Sequence, residues 1–216
     1  MIEWRGNWRG LRMEIKDMRM EEYLKIIQWI MDNSGIEYDM LLLSNLITGL
    51  SLNSKYKFPT HDFSEKMCEK YHTKYHMGYF NILHYYEKEN AIDLFMEYAS
   101  SEQIIVEDFE ITTDLNNRLI YTLSEMEKRP VMYLGNITIK NLKCFLDGYL
   151  AGEDLTLQKP IGDSMSALEM ALDKYFSKKY GLYEKKTWYD KLEYMSAGFA
   201  ADVRVMITAL ECLEFH

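Results

Sequence analysis

Three side chains of metal-ligand type recur at four-residue spacing in the first half of the chain. They are Cys68, His72 and His76, with His61 a nearby candidate for a fourth ligand. On one helix, residues four apart share a face, so a thiolate and two imidazoles could hold a transition metal such as zinc. The other residues on this stripe are mostly tyrosines, which is typical of a helix face that packs on a core. The pattern therefore favours half-buried side chains, and a metal site stays open as the alternative.

The remaining chemistry-bearing residues do not form a catalytic pattern. Acidic pairs such as Glu153-Asp154 have no companion histidine and are typical of solvated faces and loops. The sequence has no GxSxG, P-loop, HExxH or GxGxxG motif, and residues 162–164, Gly-Asp-Ser, are typical of a turn with a helix N-cap. We therefore expect no cofactor, and we favour an interaction protein over an enzyme.

The most distinctive segment is RPVMYLG at residues 129–135, which is followed by FLDGY at residues 145–149. One interpretation of the first segment is purely structural. In it, Pro130 ends a helix, Met132 and Leu134 enter the core, and the glycine that follows permits a left-handed turn. Thr138 then starts the next helix as its N-cap.

A second interpretation of the same segments is functional. Arg129, Tyr133, Tyr149 and Trp188 would form an exposed cluster that recognises a protein partner. Arg, Tyr and Trp are the residues most often found as interface anchors. The sequence alone leaves both interpretations open.

The second half of the chain resembles a family of small, uncharacterised bacterial proteins. These share an RPxMYLG segment, an FLxGY helix, a Lys-Tyr pair before a Trp, and an acidic-aromatic final helix. The matching residues here are 129–135, 145–149, Lys179-Tyr180, Trp188 and 210–215, and the likeness covers residues 120–216. It departs at Val131, where we would expect Gly. Proteins of this kind look like immunity partners of bacterial toxins, so the resemblance implies a protein partner and no established catalytic residues.

Residues 129–135 are also similar to the Arg-Pro-x-Met-Tyr-x-Gly segment of the DNA gyrase B subunit and its ATPase relatives. That resemblance would imply a following helix with a Glu and a magnesium-binding Asn, and then an Asp-x-Gly-x-Gly nucleotide loop. Here the following helix reads NLKCFLDGY from Asn141, and the sequence has no such loop. We therefore do not expect ATP binding.

Helical periodicity dominates the elements that must position these residues. Apolar side chains three and four apart predict helices at residues 20–32, 38–50, 62–89 with a break near Gly78, 90–100, 114–128, 138–149, 164–179, 187–196 and 199–213. Residues 103–111 are β-branched and partly alternating, which predicts a short strand or an extended linker. The predicted fold class is all-α.

The chain is also similar to itself. Residues 70–102 match residues 179–211 at an offset of 109 without gaps, and the helix around Leu43 matches that around Leu142 at an offset of 99. We predict two similar helical modules in tandem, residues 14–110 and 111–216, packed as a pseudo-dimer that is monomeric or forms a homodimer. Residues 1–13 are expected to be a tail, or a leader that follows from a misassigned start codon.

Composition limits the classes of function. The 216 residues include 25 Lys and Arg against 34 Asp and Glu, a net charge of -9 that disfavours nucleic acid. Three distant cysteines without a CxxC motif fit the cytoplasm, and the longest apolar stretch, residues 40–52, is too short and polar for a membrane span. The leading hypothesis is a non-catalytic cytoplasmic interaction protein, an immunity protein that neutralises a basic toxin. The alternative is a small-molecule or metal-dependent enzyme with a site between the two modules.

Overall fold

The computed structural model describes residues 18–73, 78–106, 115–184 and 187–212. Most of these residues are helical, which confirms the all-α prediction. The first half contains α1 (Met20–Asn33), α2 (Met40–Leu52), β1 (Tyr56–Lys57), α3 (Thr60–Lys70), α4 (Tyr79–Glu87), a 3₁₀ turn (Lys88–Asn90), α5 (Ala91–Ala99) and β2 (Ile105–Val106). The second half contains α6 (Leu115–Lys128), α7 (Pro130–Leu134), α8 (Ile139–Thr156), α9 (Asp163–Tyr180), α10 (Trp188–Met195) and α11 (Phe199–Cys212).

A two-stranded ribbon lies within the first half. β1 and β2 pair antiparallel, with Tyr56 opposite Val106 and Lys57 opposite Ile105. The extended segment predicted at residues 103–111 is thus a strand at its start, and its residues 107–111 lie outside the described part. Among the described helices, none is both long enough and apolar enough to cross a bilayer.

The centre of the molecule is the crossing of α2 and α8. Every residue of α8 except Lys140 is buried, and α2 is apolar on most of its circumference, as expected of helices surrounded by others. Gly49 and Gly148 allow the two backbones to touch. A Cβ atom on Gly49 would overlap the carbonyl oxygen of Phe145, and one on Gly148 would overlap that of Leu46. Glycine is therefore required at both positions for this close approach.

Side-chain caps fix where several helices begin. Asp39 accepts a hydrogen bond from the Leu42 amide at 2.8 Å at the start of α2, and Thr138 accepts one from the Asn141 amide at 3.1 Å at the start of α8. Thr187 and Asp190 form a complete capping box on α10. The predicted caps at Thr138 and Thr187 are confirmed, and each satisfies an amide that has no partner within its helix.

The segment at residues 129–135 forms a short helix that the sequence interpretation did not anticipate. Pro130 ends α6 and then occupies the first position of α7, where its missing N–H is harmless. Leu134 is buried as predicted, and Gly135 has the predicted positive φ of 64°. The prediction that Met132 enters the core is wrong, because its side chain is 73% exposed. Tyr133 and Leu134 take the inward positions of this five-residue helix, which leaves Met132 on its outer side.

Apart from α7 and the β-ribbon, the described part of each half contains five α-helices in succession. Buried positions coincide at an offset of 99 between α1 and α6, and at 109 between α4 and α10. The ungapped offset of 109 is wrong over α5, because buried Ala91 and Phe95 fall opposite exposed Ala200 and Arg204. The last helix of each half therefore needs a shift in the alignment.

Candidate functional site

The short helix α7 displays a charged and apolar surface. Arg129 is exposed, and Val131 and Met132 are 62% and 73% exposed. We call these three residues the α7 face. The helix packs against α6, which carries the exposed ring of Tyr121. Adjoining exposed apolar side chains are candidates for an interaction site.

The two motifs of the second half, residues 129–135 and 145–149, contact each other through aromatic rings. Tyr133 of α7 contacts Phe145 of α8 edge to face at 6.2 Å between ring centroids, and Phe145 stacks on Tyr149 at 6.1 Å. The Tyr149 hydroxyl is 3.5 Å from the Thr122 hydroxyl on α6. The motifs are thus one packed unit, which joins the α7 face to the central helix.

A groove of about 500 Å³ opens beside this unit. It is lined by Leu52, Asn117, Arg118, Tyr121, Thr122, Tyr133 and Tyr149. Arg118 donates to the Oδ1 atom of Asn53, and Asn53 donates in turn to the Tyr149 carbonyl oxygen at 3.0 Å. Because Asn53 is buried, these bonds fix the position of the Arg118 guanidinium at the groove.

The predicted recognition residues divide between two places. Tyr133 and Tyr149 line the groove, and Arg129 lies at the start of α7. Trp188 lies on α10, where it is 2% exposed and borders a cavity of about 210 Å³ with Glu169 and Asp173. The expectation of an exposed cluster is therefore wrong for Trp188 and for Tyr149, since both rings are buried in packing between helices.

A buried charge network lies behind the Trp188 cavity. Lys143 is 1% exposed, and its Nζ atom donates to both carboxylate oxygens of Asp147 at 2.9 and 2.7 Å. The Glu169 carboxylate is 3.6 Å from the same ammonium group. Although burial disfavours the ammonium form, these two carboxylates hold the pKa of Lys143 above its ordinary value. Lys143 is therefore a fixed positive charge inside the second half.

A second buried lysine lies on α10. Lys191 is as deeply buried as Lys143, and its Nζ atom contacts the Asp173 carboxylate and donates to the Ser177 hydroxyl at 2.7 Å. Glu169 and Asp173 are one turn apart on α9, so each carboxylate faces one buried lysine. The acidic wall of the Trp188 cavity is thus balanced by the two ammonium groups.

Two further acidic residues lie at the end of α8. Asp154 accepts hydrogen bonds from the amides of Gly162 and Ser164 at 2.8 and 3.1 Å and so caps α9. Burial raises the pKa of Asp154 to about 6 and that of Glu153 to about 7. The sequence interpretation placed this pair on a solvated face, and that is wrong because both side chains are buried.

The candidate metal ligands do not share a helix as the sequence interpretation assumed. α3 ends at Lys70, so Cys68 lies in its last turn, and His72 is an exposed residue beyond it with a positive φ of 51°. The spacing of four residues therefore does not place these two side chains on one helical face. His76 lies outside the described residues. Within the described ranges, no group of three or more His, Cys, Asp or Glu side chains is arranged to hold a metal ion.

Sequence reasoning missed the buried polar residues. Lys143 and Asp147 are four apart on a helix, a spacing that signals an ion pair but not its burial. Arg118 and Asn53 are 65 residues apart, and Lys191 and Asp173 are 18 apart, so no local pattern links either pair. Only the packing of the helices brings them together.

Comparisons with known proteins do not assign this chain to a class of protein. No family model matches the chain, and neither the curated proteins nor the solved structures that were searched include a match.

Proposed function

We propose that the protein is a non-catalytic interaction protein of the immunity type, which binds a protein partner on the α7 face. The observation that carries this proposal is the exposure of Val131 and Met132 beside Arg129 on a surface helix. A methionine is flexible and polarizable, and an arginine can pair with carboxylates or stack on rings, so both are frequent in interfaces. The segment packs Leu134 into the core and Tyr133 against it, which leaves Arg129, Val131 and Met132 exposed to a partner.

The partner we propose is a basic toxin. The chain has nine more acidic than basic residues, and this excess attracts a positively charged protein over long range. The same charge opposes binding to nucleic acid. We place the interaction in the cytoplasm, in keeping with three cysteines far apart in the sequence. The catalytic alternative built on Cys68 and His72 has no geometric support, because these residues do not share a helix face.

The first partner to test is the protein encoded by the neighbouring upstream gene, since immunity proteins accompany their toxins. Titration calorimetry of the purified chain with that protein measures the affinity. We expect Arg129→Ala and Met132→Ala each to weaken the complex by about 2 kcal/mol, roughly 30-fold, as the loss of an interface anchor does. Both residues are exposed, so the melting temperature should stay within about 3 °C of the parent.

The matched control is Met170→Ala, because Met170 on α9 is 68% exposed and lies outside the α7 face. This variant should bind the partner like the parent. Parental affinity in both α7 variants, or equal weakening by Met170→Ala, would contradict the proposed surface. Absence of any complex with the neighbouring protein would contradict the proposed partner.

We also propose that the two halves arose by duplication of one module, so that the chain is a covalent pseudo-dimer. The contacts between α2 and α8 support this because they are reciprocal at the offset of 99. Gly49 faces Phe145 while Gly148 faces Leu46, and Asn53 bonds the Tyr149 carbonyl while Gly152 approaches that of Leu50. Reciprocal pairing of this kind is the signature of a two-fold interface between identical subunits.

A further inference from the structure

The groove beside α6 has the dimensions and the lining of a small-molecule site. Its volume of about 500 Å³ lies within the 300 to 1,000 Å³ that is usual for ligand pockets. It runs between the end of α2, which belongs to the first half, and α6, α7 and α8 of the second half. Ligand sites are common at such junctions between structural units.

One position on the α6 wall of the groove carries a small side chain. Thr122 lies on its wall, and 99 residues earlier the corresponding turn of α1 carries Tyr23. Tyr23 is fully buried, and its ring stacks on Phe58 at 6.5 Å between centroids. The helix position accepts a tyrosine in the first half, so the opening in the second half is not imposed by the helix packing.

Arg118 brings a positive charge of fixed position to the groove. Arg118 lines it, and the guanidinium is oriented by the bond to Asn53, whose own amide is anchored on the Tyr149 carbonyl. A planar guanidinium held in place is suited to carboxylate and phosphate groups, because little side-chain freedom is lost on binding.

The rest of the lining is aromatic and hydroxylic. Tyr121, Tyr133 and Tyr149 line the groove; the Tyr121 ring is 68% exposed at the edge, the Tyr133 ring is half-buried, and the buried Tyr149 ring forms part of the wall. Tyrosine rings bind flat ligands by stacking and edge contacts, and their hydroxyls accept or donate hydrogen bonds. One turn beyond Tyr149, burial raises the pKa of Glu153 to about 7, so this carboxyl group near Arg118 carries only part of a negative charge at neutral pH.

From this lining we infer that the groove binds a small organic anion that carries an aromatic ring, with the anion at Arg118 and the ring among the tyrosines. The anionic group is a carboxylate or a phosphate. The site is separate from the α7 face, and it does not depend on the proposed protein partner.

Ligand-observed NMR and titration calorimetry on the full chain test the site with defined probes. The probes are benzoate with its neutral analogue benzamide, adenosine 5′-monophosphate with its neutral analogue adenosine, and inorganic phosphate. We expect one of the two ring-bearing anions to bind at least about tenfold tighter than its neutral analogue and than phosphate, because ring and charge are both recognised. Which anion does so distinguishes a carboxylate ligand from a phosphate ligand.

Two variants locate the binding. Thr122→Tyr puts into the groove the side chain that the first half has at this position, and Tyr121→Ala removes an exposed ring whose loss leaves the core intact. We expect each to weaken binding of the anion at least about tenfold. The melting temperature of Tyr121→Ala should stay within a few degrees of the parent, because its ring is exposed. Tyr183→Ala is the matched control for Tyr121→Ala, because Tyr183 is equally exposed and lies outside the groove lining, and it should bind like the parent.

Three outcomes would overturn the inference. The first is that neither anion binds at about 5 mM, a weak limit even for fragment-sized ligands. The second is that the neutral analogues bind as tightly as the anions. The third is that Tyr121→Ala retains parental affinity while folded, which would place the ligand elsewhere.

Discussion

The two halves of the molecule place different interiors between their helices. In the first half, the rings of Phe58, Phe63, Tyr79 and Phe95 fill the space between α3, α4 and α5, with every pair of centroids 5.3 to 5.7 Å apart. In the second half, buried lysines on α8 and α10 pair with carboxylates. The two halves therefore differ in the chemistry of the side chains that they bury.

The difference between the buried side chains of the two halves is visible when aligned positions are compared. Lys143 corresponds to Ser44 at the offset of 99, and Lys191 corresponds to Ile82 at the offset of 109. A buried ammonium group has to be paired, because leaving water is costly for an isolated charge. The second half thus carries Asp147 and Asp173, whereas the first half has Thr48, which is exposed, and Ser64, which is half-buried. Buried ion pairs add little net stability, so our hypothesis is that these pairs specify how the helices of the second half pack.

The largest effect should come from breaking one of these ion pairs. Asp147→Ala leaves the Lys143 ammonium group without its main partner in the interior, and we expect the free energy of unfolding to fall by about 3–5 kcal/mol. Urea denaturation measures this change. The double variant Lys143→Met with Asp147→Leu replaces the pair by apolar side chains of similar size, and it should lie within about 1–2 kcal/mol of the parent.

The double variant is also the control for the single one. If Asp147→Ala changed stability by less than about 1 kcal/mol, the ammonium group would have access to water and the contrast between the two interiors would disappear. If the double variant were as unstable as the single one, the second half would need its charges to fold.

The sequence predicts features that depend on neighbouring residues better than features that depend on residues far apart in the chain. Apolar periodicity gave the helices, and local capping patterns placed the starts of α8 and α10 at Thr138 and Thr187. α7 was missed because five residues are too few for a period to show. The interior charges were missed because a lysine on a helix is expected at the surface, and burial depends on neighbours distant in sequence.

The sequence predicted only part of the candidate site, because some of its contacts join residues that are far apart in the chain. The motif residues Tyr133 and Tyr149 do line the groove, and Arg129 does lie on the surface. Arg118, which supplies the charge, belongs to no motif, and its anchor Asn53 comes from the other half of the chain. A helical pattern on residues 68–76 suggested metal ligands because nothing in the spacing reveals that α3 ends at Lys70.

A smaller effect tests the similarity of the halves rather than their difference. Gly49→Ala and Gly148→Ala each put a methyl group against a backbone carbonyl of the other helix, so the helices must separate. We expect each to lower the free energy of unfolding by about 1–3 kcal/mol, and the two values to agree within about 0.5 kcal/mol if the contacts are reciprocal. Denaturation of the two variants in parallel measures this.

The control for this pair is Thr48→Ala, which lies next to Gly49 on α2 and is exposed. It should change stability by no more than about 0.5 kcal/mol. If Gly148→Ala lowered the free energy of unfolding several times more than Gly49→Ala, the contacts of the two glycines would not be equivalent. That result would remove the main support for a duplicated module.

The smallest predicted effect is a dependence of stability on pH that comes from the second half. Glu153 and Asp154 have pKa values raised by burial to about 7 and about 6, from ordinary values of 4.5 and 3.8. The folded state therefore holds protons that the unfolded state has released, and stability rises as the pH falls from about 7.5 to about 5. Each unit of pKa difference corresponds to about 1.4 kcal/mol, and we expect a total gain of about 1–3 kcal/mol across this window. The first half has Ser54 and Lys55 at the corresponding positions, so it adds no such carboxylate pair.

Urea titrations at pH 5.5 and 7.5 measure this gain in stability. The variant Glu153→Gln, which keeps the shape of the protonated acid, should reduce the gain by more than half. A parent protein that loses stability between pH 7.5 and 5.5 would show that these two carboxyl groups are ionised and solvated in the folded state.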